Sequence, residues 1–317
     1  MHGVVLDLDS LHPDDIDLQP LRDSLPAWEL YGHTENRELR ERLQGATVVV
    51  TNKVPLDRPA IVSASELRLI CVAATGTDII DLQAAREAGI TVCNARGYAT
   101  ASVVEHVFAL LLTLTRHLDS YRRAASSGAW SHSPEFCYFG EPIGELAGRT
   151  LGIVGYGVLG RAVAEVARAL GMKVLVAESL IGASREVRVP LKQLLREADV
   201  LSLHCPLTAQ TRGLIGAPEL QCMKDSAILV NTARGGLVVE EDLVRALQEG
   251  WIAAAAVDVL AQEPPRRPSP LLEYRSERLI VTPHAAWASV ASRQRLVDQI
   301  AANIDAFLKG EPRNQVV

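Results

Sequence analysis

Three side chains able to handle charge and protons each follow an apolar run: Arg234 after "AILVNTA", Glu263 after "AAAAVDVLAQ" and His284 after "RLIVTP". Arginine offers a planar fork matched to a carboxylate. Histidine can give and retake a proton near neutral pH. A glutamate beside that histidine would fix its tautomer and favour its protonated form. Taken singly, each reads equally well as a surface or packing residue, and a lone histidine after a proline, as in "VTPHAAWAS", proves nothing. Position is what raises them, because ligands of an open parallel sheet collect outside the carboxyl ends of its strands. Together they would hold a carboxylate, polarise the neighbouring carbonyl and protonate its oxygen. That is the equipment for reducing a 2-keto acid, given a source of hydride.

A source is written into "GYGVLG", which sets Gly155, Gly157 and Gly160 in G-x-G-x-x-G register between a strand and a helix. The first glycine permits a tight turn, the second lets backbone N–H groups approach a pyrophosphate, and the third lets helix and strand pack closely. Purely structural turns produce the same spacing, so the context matters. Here a strand precedes it, a helix follows, and Glu178 ends the next strand, placed for the adenosine ribose hydroxyls. A carboxylate there repels the extra phosphate of NADP(H), so NAD(H) is the favoured cofactor. Arg185 and Arg188 would offset that preference if they turned inward; as solvated loop residues they would not.

Those positions require strands and helices in alternation, and the chain supplies them almost from end to end. In the first third "GVVLDLD", "ATVVVTN", "LRLICVAAT" and "GITVCNA" read as strands, with "NRELRERLQ" and "DLQAAREAG" as helices between them. A long helix starts near Thr100, followed by a Ser-, Gly- and Pro-rich excursion that carries Trp130 and Phe136. After Gly148 the pattern restarts around the glycine turn, with further strands at "ADVLSLHCP", "AILVNTARG", "AAAAVDVL" and "RLIVTPH". A last helix over about 289–309 has no place beyond the final strand and would pack back on the N-terminal third. The expected fold is therefore α/β, with two Rossmann-like doubly wound domains. Residues 100–288 would bind the dinucleotide, and a discontinuous domain of residues 1–99 and 289–317 would bind substrate.

Composition narrows the partners. A net charge of −6 with no basic stripe gives neither a nucleic-acid nor a lipid surface anything to hold. The apolar part of "VVEHVFALLLTLTRHL" is interrupted by Glu105, His106 and Arg116, short of the roughly 20 residues that span a bilayer, and reads as a buried helix. Five scattered cysteines without a C-x-x-C pair argue against a disulfide framework and a zinc site. No metal is expected. The acidic start "MHGVVLDLDS" does not resemble a signal peptide, which makes cytoplasm the expected location. His106, Cys71, Cys93 and Met223 read as packing residues.

With these residues in view, the chain resembles the D-isomer-specific 2-hydroxyacid dehydrogenases along nearly its whole length, most closely their bacterial glycerate dehydrogenase/hydroxypyruvate reductase branch. The matching stretches include "VAATGTDIIDL", "NARGYATASVVEHVFALLL", "LAGRTLGIVGYGVLGRAV", "ADVLSLHCPLTAQTRGLIG", "MKDSAILVNTARGGLV", "AAAAVDVLAQEPP" and "VTPHAAWAS". The resemblance implies a catalytic triad of Arg234, Glu263 and His284. It implies that the Thr75 and Gly76 backbone binds the substrate carboxylate, with Trp287 and Lys53 at the substrate, and that Asp258 holds the nicotinamide amide. Thr100, Leu159, Gly160, Cys205, Pro206, Thr211, Thr232 and Ala233 would line the cofactor path. It also implies a homodimer in which the excursion around Trp130 and Phe136 packs on the second subunit. Glu178 stands where the family more often has aspartate, keeping the charge and lengthening the reach. The expected activity is NAD-dependent reduction of a small 2-keto acid, hydroxypyruvate or glyoxylate. The alternatives are a phosphite dehydrogenase-like enzyme, whose relatives keep the same triad, and a dinucleotide-sensing regulator akin to the family's corepressor relatives.

Overall fold

The computed structural model describes residues 1–179 and 188–317. Arg185 lies outside the described residues. The chain divides into two compact units, Met1–Ala99 with Trp287–Val317, and Thr100–Ala286.

In the first unit β1 (His2–Val5), β2 (Ala27–Leu30), β3 (Val48–Thr51), β4 (Leu69–Val72) and β5 (Thr91–Cys93) form one parallel sheet in the order β2-β1-β3-β4-β5. The central strands β3 and β4 are "VVVT" and "LICV", buried along their whole length, because helices cover both faces of a parallel sheet. Asp57 and Asp81 start two of the covering helices by accepting the Ala60 and Ala84 amides at 3.0 and 2.8 Å. The Val290–Leu308 helix belongs to this unit. It packs over β4 and buries Leu296, Val297, Ile300 and Ile304 beside Val48 and Leu69. β2 was not expected from the sequence: "AWEL" alternates exposed and half-buried residues at the sheet edge, so it has no apolar run to announce it.

The second unit carries β6 (Thr150–Val154), β7 (Lys173–Val176), β8 (Val200–Leu203), β9 (Ile228–Asn231), β10 (Ala254–Val257) and β11 (Leu279–Val281). All pair in parallel, in the order β11-β10-β9-β8-β6-β7. The chain runs from β6 outward to β7 and then returns past β6 to start β8. The order therefore reverses between β6 and β8, where a crevice opens at the carboxyl ends of the strands. The Thr100–Arg116 helix lies against β9 and β10, with Val107, Phe108 and Leu111 buried. After it the Leu118–Ser126 helix and a loop to Gly148 expose Trp130, Phe136 and Phe139. The parallel α/β architecture read from the sequence is the one observed. Among the described residues no helix is long and apolar enough to cross a membrane.

Candidate active site

The loops that leave β9, β10 and β11 carry Arg234, Glu263 and His284. Buried Asn231 ends β9 and folds the chain back on itself, its Nδ2 donating to the Arg234 carbonyl at 3.0 Å and its Oδ1 accepting the Ala233 amide at 3.1 Å. Arg234 Nη1 donates to the Ala233 carbonyl at 2.8 Å. The next residue touches the neighbouring loop: a Cβ on Gly235 would lie 2.0 Å from the Leu260 carbonyl carbon. Only glycine admits that approach, and it holds the arginine loop against the loop that leads to Glu263.

Glu263 spans the rest of the distance. Its Oε1 accepts the Leu260 amide at 2.8 Å, and its Oε2 lies 2.6 Å from His284 Nδ1. An ionised carboxylate only accepts, so Nδ1 carries the hydrogen of this pair and Nε2 is the nitrogen left to exchange a proton. Both side chains are about two-thirds covered, at 28% and 33% exposure.

His284 sits in the left-handed region at φ 53°. That conformation is costly for a residue with a Cβ and needs holding. Asp258, at the end of β10 and 1% exposed, does the holding. Its carbonyl accepts the His284 amide at 2.7 Å, Oδ1 accepts the Ala285 amide at 2.9 Å, and Oδ2 accepts the Ala286 amide at 2.9 Å. The Thr282 hydroxyl donates to Oδ1 at 2.5 Å, and His106 Nε2 lies 3.1 Å from that hydroxyl. Burial pushes the Asp258 carboxyl up, but the bonds from His106, Thr282 and the Ala286 and Ala285 amides outweigh it, so it sits below the ordinary carboxylate value. Both oxygens of the Asp258 carboxylate, the residue that the resemblance places at the nicotinamide amide, hold the turn that carries His284.

The glycine turn follows β6 at the reversal point. Gly155 has φ 96°, and a Cβ there would lie 2.4 Å from the Cys205 amide nitrogen. A Cβ on Gly160 would meet the Gly155 carbonyl oxygen at 2.1 Å, whereas one on Gly157 would meet nothing within 4 Å. The turn is thus closed behind and open in front, at the N-terminus of the Val158–Ala169 helix, where unpaired amides favour an anion. A pocket there is lined by Gly155, Gly157 and Glu178, read from the glycine motif, and by Cys205, Pro206 and Thr211, which the resemblance implies. Leu159 and Gly160 lie in the first helical turn, and Thr100 begins its own helix. Thr232 and Ala233 lie beside Arg234. The Thr232 hydroxyl is buried and accepts or donates no hydrogen bond among the described residues. A glycine cradle and a carboxylate lining the same pocket fit a dinucleotide.

Tyr156, Ser179 and Thr208 line the pocket without a signal in the sequence that points to it; His204 and Arg188, a loop cation by sequence, line it too. His204 follows β8 as Arg234 follows β9, and its ring Nε2 lies 2.8 Å from Ser202 Oγ. Burial holds its imidazole down to about 4. A polar residue closing the run "VLSLH" was the available signal.

In the first unit the expected substrate residues also follow strand ends. The Asp7 carboxylate accepts the Asn52 and Lys53 amides at 2.9 and 2.6 Å, fixing the loop after β3 and leaving Lys53 exposed. Burial raises the Asp7 carboxyl above its ordinary value, with those bonds opposing. Thr75 and Gly76 follow β4, where Thr75 Oγ1 donates to the Ala95 carbonyl at 2.8 Å and Asn94 Nδ2 donates to the Thr75 carbonyl at 2.7 Å. Trp287 meets Tyr98 edge to face, with centroids 6.3 Å apart.

Known proteins resemble this chain over most of its length. Residues 108–286 match the family model described as "D-isomer specific 2-hydroxyacid dehydrogenase, NAD binding domain". The chain is 48% identical to a glycerate dehydrogenase of Methylorubrum extorquens over 279 residues, 88% of each chain. It is 39% identical to a hydroxypyruvate reductase of Blautia hydrogenotrophica, covering 100% of this chain and 99% of that one. Among solved structures, D-lactate dehydrogenase from Aquifex aeolicus complexed with NAD and lactic acid superposes with a TM-score of 0.84 at 28% identity, covering 98% and 96% of the two chains. With its NAD-binding unit matched across the glycine turn and all three charged strand ends, this chain belongs to the D-isomer-specific 2-hydroxyacid dehydrogenase family.

Proposed function

We propose that this oxidoreductase reduces hydroxypyruvate or glyoxylate with NADH, using Arg234, Glu263 and His284. The observation that carries the reading is the 2.6 Å contact between His284 Nδ1 and Glu263 Oε2 at the carboxyl edge of the NAD-binding sheet. Bound NADH supplies the hydride. Arg234 clamps the substrate carboxylate and polarises its carbonyl. His284 Nε2 delivers a proton to the carbonyl oxygen, and Glu263 keeps Nδ1 protonated and stabilises the positive imidazolium before that transfer. In the reverse direction neutral Nε2 accepts the hydroxyl proton. Asp258 holds the turn that aims the imidazole. Thr75, Gly76, Lys53 and Trp287 are the substrate contacts of this reading, which makes the first unit the substrate-binding domain and Thr100–Ala286 the dinucleotide domain.

NADH is preferred over NADPH in this reading because Glu178 lines the pocket at the ribose position. Arg188 lines the same pocket and moderates the preference. The assembly is a homodimer through the segment after residue 117, where Phe136 and Phe139 are 91% and 82% exposed. The compartment is the cytoplasm, consistent with free Cys71 and Cys93 lying opposite each other on β4 and β5.

The test is NADH and NADPH oxidation against hydroxypyruvate, glyoxylate, pyruvate, 2-ketobutyrate and phenylpyruvate. The highest kcat/KM is expected for hydroxypyruvate or glyoxylate with NADH, and Glu178→Ala should shift the ratio toward NADPH. Absence of turnover on the whole panel, with NADH still bound, would leave the regulator reading standing instead. Light scattering checks the dimer, which Phe136→Ser with Phe139→Ser should dissociate.

A further inference from the structure

We infer that His106 is a positioning residue for the acid–base histidine: its Nε2–H fixes the Thr282 hydroxyl on Asp258, and Asp258 fixes the left-handed turn that carries His284. The inference rests on the reading of His284 as the proton donor.

The direction of each bond follows from the donor count. Asp258 is ionised, so both of its oxygens accept. Thr282 has one hydroxyl proton, and at 2.5 Å it points to Asp258 Oδ1. The 3.1 Å contact between Thr282 Oγ1 and His106 Nε2 then has no proton left on the threonine side, so the imidazole supplies it. The same nitrogen lies 3.5 Å from Asp258 Oδ1. His106 is thus committed to the Nε2–H form on the inner face of a helix that lies against β9 and β10.

The consequence runs to the active site in three steps. His106 orients Thr282, Thr282 shares Oδ1 of Asp258 with the Ala285 amide, and the second oxygen holds the Ala286 amide. Those two amides and the Asp258 carbonyl restrain His284 at φ 53°. With the imidazole gone, the Thr282 hydroxyl is free to rotate away, Oδ1 loses its shortest donor, and the turn relaxes toward conformations that misdirect Nε2 of His284. The glycine turn and Arg234 lie outside this chain of bonds, so the loss should fall on kcat.

Two conservative variants separate this from packing. Glutamine places its Nε2 about where histidine places Nε2; asparagine reaches only as far as Nδ1. Both are polar and uncharged, and both leave a space smaller than the ring. His106→Asn should lower kcat at least tenfold, with the KM for the preferred keto acid and the Kd for NADH within threefold of wild type. Hydrogen–deuterium exchange of the Ala285 and Ala286 amides in the cofactor-free protein should rise at least tenfold in that variant. His106→Gln should stay within threefold of wild type on every readout.

Thr282→Val cuts the same link from the other side and should reproduce the asparagine pattern; it carries the test alone if His106→Asn does not fold. A His106→Asn variant with wild-type kcat and wild-type exchange would overturn the inference. So would a His106→Gln variant as impaired as asparagine, or a wild-type-like Thr282→Val. Amide exchange needs no substrate, so faster exchange with unchanged kcat would support the link and instead remove His284 from the chemistry.

Discussion

Arg234 and Glu263 make different demands on their replacements, and the difference is testable. The guanidinium is fixed by its own loop, since Nη1 is tied to the Ala233 carbonyl. The planar guanidinium is a fork that lysine cannot copy. Arg234→Lys keeps the charge and loses the orientation, so transition-state binding should weaken by about 2–4 kcal/mol, read as a fall in kcat/KM with NADH binding unchanged. Near-wild-type efficiency would take Arg234 out of the proposed role. Glu263 acts by charge as well as by contact. Glu263→Gln can still accept the Nδ1 hydrogen but no longer stabilises the imidazolium, so keto-acid reduction, which starts from imidazolium, should lose more than hydroxy-acid oxidation, which starts from neutral imidazole. At neutral pH the kcat for reduction should fall about tenfold more than the kcat for oxidation, while the two kcat/KM values, tied by the overall equilibrium, fall together. Equal losses in the two kcat values would mean that the carboxylate only orients the ring.

The glycine turn shows what an element adds to its residues. Gly155 and Gly157 are two positions apart and equally glycine, but the structure gives them separate duties. At Gly155 an added Cβ runs into the Cys205 backbone and the φ of 96° is left-handed; at Gly157 the same atom meets open space and φ is −83°. Gly155→Ala should therefore destabilise the cofactor-free protein and abolish NADH binding together. Gly157→Ala should leave the melting temperature of the cofactor-free protein within about 2 °C, because no fold contact is lost, yet weaken NADH roughly 10–100-fold, since the methyl group enters the pyrophosphate space. Calorimetry and NADH titration check the pair, and a Gly157→Ala variant with wild-type NADH affinity would put the pyrophosphate elsewhere. Elements of this kind were the legible part of the sequence. Buried strands such as "VVVT" and "ILVN" announce themselves as apolar runs, and a glycine triplet between strand and helix has one economical reading. The edge strand "AWEL" does not, because only half of it is buried. The strand-end charges could be placed on one edge from topology alone, whereas the Glu263 to His284 contact needed the loop paths. His106 was illegible for a further reason: nothing in "VVEHVFALLL" says that its imidazole meets a hydroxyl 176 positions away.

At the scale of the molecule, the two sheets place their functional loops at carboxyl edges, and those loops are kept in place by buried polar groups rather than by apolar packing alone. Asp7 and Asn94 serve the first unit; Asn231 and Asp258 serve the second. Buried ionisable groups make stability depend on pH, and His204 gives the clearest sign. Its imidazole is held to about 4 by burial, below the ordinary 6.5. Between those values the unfolded chain binds a proton that the folded chain refuses, so stability rises with pH across the window. The contribution is fully present above 6.5 and is lost as pH falls toward 4. The gap sets a ceiling of about 3 kcal/mol, and water entering the cofactor pocket beside the ring lowers it. Asp258, held below the ordinary carboxylate range, adds a loss of the same sign at more acidic pH, and Asp7, held above it, opposes. His204→Gln keeps a polar group near Ser202 and removes the titration. Urea unfolding of the cofactor-free wild type and variant at pH 7, 6, 5 and 4, followed by tryptophan fluorescence, isolates the histidine as the difference between the two curves. Wild type should lose more stability on acidification than the variant, with the difference growing from pH 6.5 downward to between about 1 and 3 kcal/mol near pH 4. Parallel curves would mean that the folded protein accepts the proton without cost, and that the ring is open to water through the pocket it lines.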